Sequence, residues 1–388
     1  MREYIEMVRK ADDLTEEKPR VEAMKKRVFI CLLTFVMVLI AGCSAGPDTE
    51  ANEIKEAKEK TELPVIRITD EEAADNNEPE EEIEENTEED AVKKEDIVIL
   101  HTNDVHCGVD MNIGYAGVSA YKKQVEAEGK PVFLIDVGDE INGGFMGDIT
   151  KGESIIRVMN EMGYNLAVPG NHEFDYGVDN FFRLTEMADF PYICCNFIDL
   201  KTGEPALEPY RIEEIGGWRI AFVGVTSPNV ILNDKKKTFK NKDGENVYSF
   251  MEGEDGGSMY KTIQESVDAA RAEGVDYCIL LSHLGTKPEE SPYTVYETVE
   301  NTRGIDIVLD AHSHVIIDAE KVKNADGKEI SVTQCGYFVQ ALGKLTIDEN
   351  GNMESTLIQE YDEKDEAIIA ALERETRFYE EILSKGGR

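Results

Sequence analysis

One short turn in this chain, residues 170–175 with the sequence Gly-Asn-His-Glu-Phe-Asp, contains three side chains that could do chemistry together. The turn follows an apolar run at 166–168 and a Pro-Gly pair, which ends a strand and exposes the next residues. Asn171 offers an amide oxygen to a hard metal ion, His172 an imidazole for general acid work, and Asp175 a carboxylate to orient that ring. Asn and Asp also favour turns for local reasons, so other residues must support a site here.

Four more apolar runs, at 97–100, 132–135, 277–281 and 305–309, are typical of buried strands and end in residues of the same chemical kind. The side chains that follow them are Asp104 and His106, Asp139, His283, and His312 and His314. Ligands gather at the carboxyl ends of the strands in α/β sheets, so we expect these loops to converge. Together with His172 of the turn, five of the six histidines of the chain lie on such loops, which scattered structural histidines would not produce.

The converging side chains are carboxylates, an amide and imidazoles, with no thiolate. This mixture excludes a structural zinc–cysteine site and suits Mn, Zn, Fe or Co, or a mixed pair. The side chains are too many for one ion and about enough for two. Two ions roughly 3.5–4 Å apart with a shared carboxylate are the arrangement used for phosphoester hydrolysis. The sequence therefore predicts two divalent metal ions and leaves their identity open.

The elements that must position these loops alternate between strand and helix, which predicts an α/β domain. Helices are predicted at 117–128, 153–162, 178–188, 258–273, 295–301 and 363–384. Further strands are predicted at 192–196, 210–215, 218–225, 330–332, 342–347 and 353–357. The polar, glycine-rich segment 229–257 is interpreted as a surface insertion.

The net charge is 41 − 80 = −39, and much of the excess lies near the amino terminus. Between Asp48 and Asp96 there are 21 acidic and six basic residues, so we expect 44–95 to be a disordered linker. An acidic protein lacks the basic stripe that a nucleic-acid phosphate backbone requires, so no nucleic-acid polymer is expected as a partner.

A basic start at Met24, an apolar run at 28–40 and the residues Ala41-Gly42-Cys43 are typical of a secretory signal, and Ile40–Cys43 resembles a bacterial lipobox. We therefore expect 24–43 to be a lipoprotein signal peptide, with Cys43 lipidated and the protein anchored outside the cytoplasm on the bacterial cell membrane. An uncleaved anchor helix is the alternative. Residues 1–23 are interpreted as an over-extended start.

Taken in chain order, five motifs resemble the calcineurin-like metallophosphoesterases, and within them the exported 5′-nucleotidase and sugar-nucleotide hydrolase branch. The motifs are His101-Thr102-Asn103-Asp104-Val105-His106, Gly138-Asp139, Gly170-Asn171-His172-Glu173-Phe174-Asp175, Ser282-His283 and His312-Ser313-His314. The resemblance covers residues 96–361, which we expect to form the catalytic domain. It implies an α/β fold with a central β-sandwich flanked by helices (αββα).

The resemblance also implies a role for each site residue. One metal ion would be held by Asp104, His106, Asp139 and His314. The other would be held by Asp139, Asn171, His283 and His312, with Asp139 bridging. His172 and Asp175 resemble the catalytic dyad of the family. This chain departs from those relatives that have Gln where His314 stands.

The implied function is a metal-dependent phosphoester hydrolase of the 5′-nucleotidase kind, which cleaves by in-line attack of a metal-activated water. One alternative is a cyclic-nucleotide or sugar-nucleotide phosphodiesterase, and another is a surface lipoprotein that binds a metal or ligand without catalysis. The branch usually has a second, nucleotide-binding domain, whereas residues 362–388 predict only a linker-like helix. We therefore expect a small phosphoester or nucleotide substrate, with a separate substrate-binding domain as a further expected partner.

Some residues near the motifs are interpreted as structural. His101 is expected to pack at its strand end, Cys107 to be a bystander, and Glu173 and Phe174 to be turn and core residues. The loop at Gly336-Tyr337 resembles one that lies near the substrate in relatives.

Overall fold

The computed structural model of the protein describes residues 93–233 and 237–385. The predicted signal peptide, Cys43 and nearly all of the acidic linker therefore lie outside the described residues. Within the described ranges, no helix is both long enough and apolar enough to cross a membrane.

Thirteen strands and eight helices are described in these two ranges. The strands are β1 (Ile97–Thr102), β2 (Val132–Asp136), β3 (Leu166–Ala167), β4 (Ile198–Asp199), β5 (Tyr210–Ile215), β6 (Trp218–Thr226), β7 (Tyr248–Ser249), β8 (Tyr277–His283), β9 (Ile307–Asp310), β10 (Ile316–Lys323), β11 (Glu329–Cys335), β12 (Leu342–Ile347) and β13 (Met353–Ile358). The helices are α1 (Gly114–Ala127), α2 (Phe145–Thr150), α3 (Glu153–Met162), α4 (Val178–Met187), α5 (Asn229–Leu232), α6 (Gly257–Ala272), α7 (Val295–Asn301) and α8 (Glu366–Ser384).

The strands form two large sheets and one small one. The first sheet has the order β13-β12-β1-β2-β3, the second β10-β11-β9-β8-β6-β5, and β4 pairs with β7. Every residue of β1 is buried, and its side chains alternate between two apolar clusters. Ile97 and Ile99 pack in a cluster that also contains Ile279 and Leu281 of the second sheet. This cluster lies between the sheets and makes the fold a sandwich.

The outward faces of both sheets are covered by helices. Val98 and Leu100 of β1 share a cluster with residues of α1, α3, α4 and α8. Leu280 and Val308 of the second sheet share one with α6 and α7. The αββα architecture expected from the resemblance is therefore confirmed, because each sheet buries one face against the other sheet and one against helices.

Parallel pairing brings the predicted site loops to one end of the sandwich. In the first sheet β1, β2 and β3 run parallel, with His101 opposite Ile135. In the second sheet β6, β8 and β9 run parallel, with Ser282 opposite Asp310. The residues that follow these strands therefore emerge together at their carboxyl ends.

The strand predicted at 192–196 is wrong as a regular strand, because this segment crosses between the sheets. The Ile193 backbone N–H donates to the Ala167 carbonyl in the first sheet (2.9 Å), and the Cys195 N–H donates to the Gly224 carbonyl in the second (2.8 Å). Only isolated bridges result, at Tyr192 and Ile193. The apolar pattern is that of a strand because the segment is buried, although no continuous ladder forms.

The segment 229–257 is not only a surface insertion. Its residues Phe239 and Phe250 are buried, and both rings pack on Phe174, with centroid distances of 5.2 and 5.5 Å. Burying a phenyl ring contributes about 1.5–3 kcal/mol, so the segment is anchored directly beneath the turn at 170–175.

Candidate dinuclear metal centre

The first group of converging side chains consists of Asp104, His106 and His314, whose ligand atoms lie within 4.8 Å of one another. Asp104 Oδ2 accepts hydrogen bonds from Asn103 Nδ2 (2.7 Å) and from the His312 backbone N–H (2.8 Å). Asp104 Oδ1 is buried, makes no hydrogen bond and lies 3.3 Å from His314 Nε2. One oxygen is thus fixed by the loop while the other points into the group.

The spacing of the two histidines fits a metal ion. Nε2 of His106 and Nε2 of His314 lie 3.0 Å apart. Two imidazole nitrogens that each bind one ion at about 2.1 Å, at a right angle, lie about 3.0 Å apart. An ion would also supply the partner that Asp104 Oδ1 lacks.

The second group consists of Asp139, His283 and His312, again with ligand atoms within 4.8 Å of one another. His283 Nδ1–H donates to the Val137 backbone carbonyl (2.7 Å), while Nε2 of the same ring is buried without a hydrogen bond. Asn171 Oδ1 is likewise buried and without a hydrogen bond. A buried imidazole nitrogen and a buried amide oxygen that both lack hydrogen-bond partners indicate that a cation fits this group.

Asp139 lies between the two groups. Its Oδ1 accepts from the His172 backbone N–H (2.8 Å). Its Oδ2 lies 3.2 Å from His283 Nε2 and 3.7 Å from His106 Nε2. Burial alone would raise the pKa of Asp139, but His283 and its neighbours hold that pKa well below its usual range. Burial would lower the pKa of His283, and the same carboxylate raises it to about 10. The centre thus attracts positive charge.

Several of the converging residues adopt a backbone conformation that most residues avoid. The φ angles are 50° at Asp104, 46° at His106, 63° at Asp139, 73° at His312 and 59° at His314. Left-handed backbone at a residue other than glycine costs free energy and persists only where the surroundings impose it. The strained positions therefore coincide with the candidate ligands, as is common at functional sites.

Two glycines allow the loops to approach one another closely. A Cβ at Gly170 would collide with Asp139 Oδ1 and with His283, and a Cβ at Gly138 would collide with the Gly170 N–H. Gly138 also has a φ of 94°. The backbone of the Gly-Asp and Gly-Asn-His motifs therefore packs too closely for a side chain at either glycine.

Glu173 fixes that interlock, a role that the sequence did not reveal. Its Oε2 accepts from the backbone N–H groups of Asp139 (2.8 Å) and Gly170 (2.6 Å), and its Oε1 accepts from that of Glu140 (3.1 Å). The side chain is buried, as expected of a turn residue, but it joins two of the site loops. Within the sequence it looks like any glutamate of a turn.

We predict that Glu173→Gln lowers the stability of the protein. Three backbone N–H groups donate to the two carboxylate oxygens of Glu173, whereas a glutamine amide has only one acceptor oxygen. At least one buried N–H group then loses its partner, at a cost of about 1–3 kcal/mol. The melting temperature should fall on the order of 5 °C. The exposed Glu254→Gln, which removes the same charge, is the control in a thermal melt followed by circular dichroism. Equal melting temperatures for the two variants would contradict the role of Glu173.

The structure also brings together the two residues predicted as a catalytic dyad. His172 Nδ1 lies 2.7 Å from Asp175 Oδ2, which also accepts from Asn142 Nδ2 (2.8 Å). Burial would lower the pKa of His172, but Asp175 and Asp139 outweigh it and raise the pKa to about 9. Nε2 is the ring nitrogen left to act on a bound molecule, and the side chain is 39% exposed.

Two amides in the site were missed because nothing in their sequence neighbourhood marks them. The side-chain amide of Asn142 donates to Asp175 and orients it, and the backbone carbonyl of Asn142 accepts from His106 Nδ1 (3.2 Å). The side chain of Gln334 on β11 donates to the Ala311 carbonyl (2.7 Å) and accepts from the Val315 N–H (3.0 Å). It therefore holds both ends of the loop that carries His312 and His314.

The residues interpreted as structural behave as expected. His101 is fully buried, and burial lowers its pKa to about 3, so it stays neutral. Burial raises the pKa of the Cys107 thiol to about 12, which leaves it protonated and unreactive. Phe174 is buried in the aromatic core. The Tyr337 ring stacks on His314 at a centroid distance of 5.1 Å, so that loop touches the site.

Residues 97–316 match the protein family described as calcineurin-like phosphoesterase. Members of that family use two divalent metal ions, and the two groups of ligands described above could hold one each.

Curated relatives are similar over part of their length. The chain is 26% identical over 296 residues to the 5′-nucleotidase of Rattus norvegicus, which covers 67% of this chain and 48% of the relative. It is 25% identical over 270 residues to the 2′,3′-cyclic-nucleotide 2′-phosphodiesterase/3′-nucleotidase of Salmonella typhimurium. This alignment covers 61% of this chain and 39% of the relative. The chain therefore spans about half or less of the length of these curated relatives.

Solved structures share the fold. The 5′-nucleotidase precursor of Thermus thermophilus superposes with a TM-score of 0.61 at 21% identity, covering 74% of this chain and 60% of that one. A calcineurin-like phosphoesterase of Bacillus subtilis superposes with a TM-score of 0.59 at 22% identity, covering 75% of this chain and 99% of that one.

Proposed function

The chain belongs to the calcineurin-like phosphoesterases, and on that premise we propose that it is a lipid-anchored, extracytoplasmic hydrolase of phosphate esters with nucleotides as its substrate class. The observation that supports this most is the convergence of two ligand groups around Asp139, next to an oriented histidine. A site that only bound metal ions would not require a histidine oriented beside the ligand groups.

The first ion would be held by Asp104, His106, Asp139 and His314, and the second by Asp139, Asn171, His283 and His312. When bound, such a pair supplies Lewis acidity to the phosphoryl oxygens and lowers the pKa of the attacking water. The unpartnered atoms Asp104 Oδ1, Asn171 Oδ1 and His283 Nε2 are the donors that fit this role.

The chain contributes the proton transfer through its own residues. His172 holds a proton on Nδ1 against Asp175 and presents Nε2–H to the departing oxygen of the substrate. Asp175 is in turn fixed by Asn142, so the ring keeps one orientation. A positioned general acid of this kind contributes about 10²–10⁴-fold to the rate.

Nucleotides are proposed as substrates because relatives with this domain are 5′-nucleotidases. The alternative is cleavage of a cyclic nucleotide or a sugar nucleotide. The cyclic-nucleotide case is supported by the Salmonella relative, whose name includes a cyclic-nucleotide phosphodiesterase. The open cavity beside Asn171 and His312, about 300 Å³ in volume, has room for part of a leaving group in either case.

The test is phosphate release by the purified protein supplied with Mn²⁺. AMP, p-nitrophenyl phosphate and bis(p-nitrophenyl) phosphate are compared, the last as the diester. The proposal predicts hydrolysis of the two monoesters, with AMP preferred. Faster cleavage of the diester would favour the phosphodiesterase, and no hydrolysis of any of the three would favour a binding protein.

The proposed anchor rests on the lipobox-like sequence that ends in Cys43, outside the described residues. We predict that a bacterial host supplied with an alkyne-tagged fatty acid labels the protein, and that Cys43→Ser abolishes the label. Cys31→Ser, within the apolar run at 28–40, should keep the label. Label that persists on Cys43→Ser would rule out this anchor.

A further inference from the structure

Two ligand histidines of the centre have one ring nitrogen held by a group outside the ligand set. His283 Nδ1 is held by the Val137 carbonyl (2.7 Å) and His106 Nδ1 by the Asn142 carbonyl (3.2 Å). Such outer contacts fix the ring and decide which nitrogen keeps its lone pair for the ion. His312, the ligand histidine of the second group beside His283, is expected to have a similar outer contact.

The group that faces His312 is a carboxylate. Glu290 Oε1 lies 3.5 Å from His312 Nε2, and the two side chains are 18% and 17% exposed. Glu290 ends a short 3₁₀ turn, Pro288–Glu290, in the loop that follows β8. Neither the motifs nor the proposed function gives this glutamate a role.

Glu290 is itself held in place by a second side chain. Asn229, the first residue of α5, donates from Nδ2 to Glu290 Oε2. Asn229, Glu290 and His312 together line the cavity beside the second ligand group, together with Asn171. The carboxylate thus has one oxygen fixed by an amide and the other turned to the imidazole.

We propose that Glu290 is a positioning residue of the second metal ion, an inference that rests on the proposed function. Its Oε1 accepts from His312 Nε2–H, which leaves His312 Nδ1 without a proton and available to the ion. Asn229 keeps the carboxylate in that place. The chain Asn229–Glu290–His312 then ties the start of the segment 229–257 to the metal centre.

Outer carboxylates of this kind are worth about 10–100-fold in metal affinity. We therefore expect Glu290→Gln, in the holoprotein loaded with Mn²⁺, to release one ion of two at about 10–100-fold lower chelator concentration than the unaltered protein. The other ion should be retained as before. Asn229→Ala should shift the same ion in the same direction by a smaller factor.

Glu289→Gln is the matched control, because it removes the same charge from the neighbouring, exposed residue. Metal retained per chain is measured by elemental analysis after equilibration with graded EDTA. Thermal melts of the loaded variants separate a loss of fold from a loss of one ion. Co²⁺-loaded protein provides a second measurement, the visible absorption bands at saturating metal, which should keep their positions in Glu290→Gln.

Three results would overturn the proposal. Glu290→Gln that retains both ions as firmly as Glu289→Gln would show that the carboxylate does not hold His312. Parallel loss of both ions would show a general effect on the centre. Shifted Co²⁺ bands at saturation would make Glu290 a direct ligand instead. If the unaltered protein bound two ions but hydrolysed no phosphoester, the proposed function would fail while this inference stood.

Discussion

Asp139→Asn is expected to remove bound metal and activity together, the largest effect of any single change in this protein. Asp139 Oδ2 faces both ligand groups, whereas each of the other candidate ligands belongs to one group. The amide keeps the shape and can still accept from the His172 N–H, but it lacks the charge that two cations share. Losing two-metal stabilisation of the transition state costs several kcal/mol, so we expect a loss of roughly 10⁴-fold or more in kcat/KM.

The measurement combines elemental analysis of the dialysed protein with hydrolysis of p-nitrophenyl phosphate. Asp110→Asn, at an exposed aspartate close to the first site loop, serves as the control and should keep both metal and activity. Asp139→Asn that still retained two ions and hydrolysed substrate at a normal rate would show that this carboxylate does not bridge.

His172→Ala is expected to keep both ions and to lose rate in proportion to how much the leaving group needs a proton. Its ring is outside both ligand groups and is oriented by Asp175. With a poor leaving group such as the ribose oxygen of AMP, kcat should fall by about 10²–10⁴-fold. With p-nitrophenolate, which leaves without protonation, the decrease should be within about tenfold.

The ratio of the two losses is the informative quantity, because a general disturbance of the site would slow both substrates equally. Asp175→Asn is the companion variant, since it keeps the histidine and removes the charge that orients it, and should give a smaller loss of the same kind. Full activity of His172→Ala on AMP would show that the dyad was assigned wrongly.

Much of this fold could be predicted from the sequence because the apolar runs are long and the polar residues lie at their ends. A run such as 97–100 has to be buried, and a buried strand in an α/β domain delivers its next residues to one edge. The sequence alone therefore predicts that Asp104, Asp139 and His283 lie near one another. The arrangement of the strands in two facing sheets came from the resemblance, since alternation of strand and helix alone is also compatible with one open sheet.

The positioning groups could not be predicted, for a physical reason. Glu173 holds the N–H of Asp139, a residue 34 positions away, and Asn142 orients Asp175 across 33 positions. Gln334 holds the loop of His312 from another strand altogether. Such contacts leave no periodicity or composition signal, because only the folded backbone brings the partners together.

The conformation of the site loops was also beyond the sequence. Left-handed backbone is uncommon at any residue other than glycine, so its occurrence at Asp104 and His312 depends on tertiary contacts that the sequence does not show. The segment 229–257 differs from its prediction as a surface insertion for a related reason. Its polar, glycine-rich composition is typical of a surface loop, but Phe239 and Phe250 are enough to fix it in the core.

The central claim is that distant loops form one cage for two divalent ions. It is tested most directly by anomalous diffraction from a crystal of the Mn²⁺-loaded protein. We predict two peaks roughly 3.5–4 Å apart on either side of Asp139, one beside His106 and His314 and the other beside His283 and His312. A single peak, or no peak within reach of Asp139 in well-ordered crystals, would contradict the account.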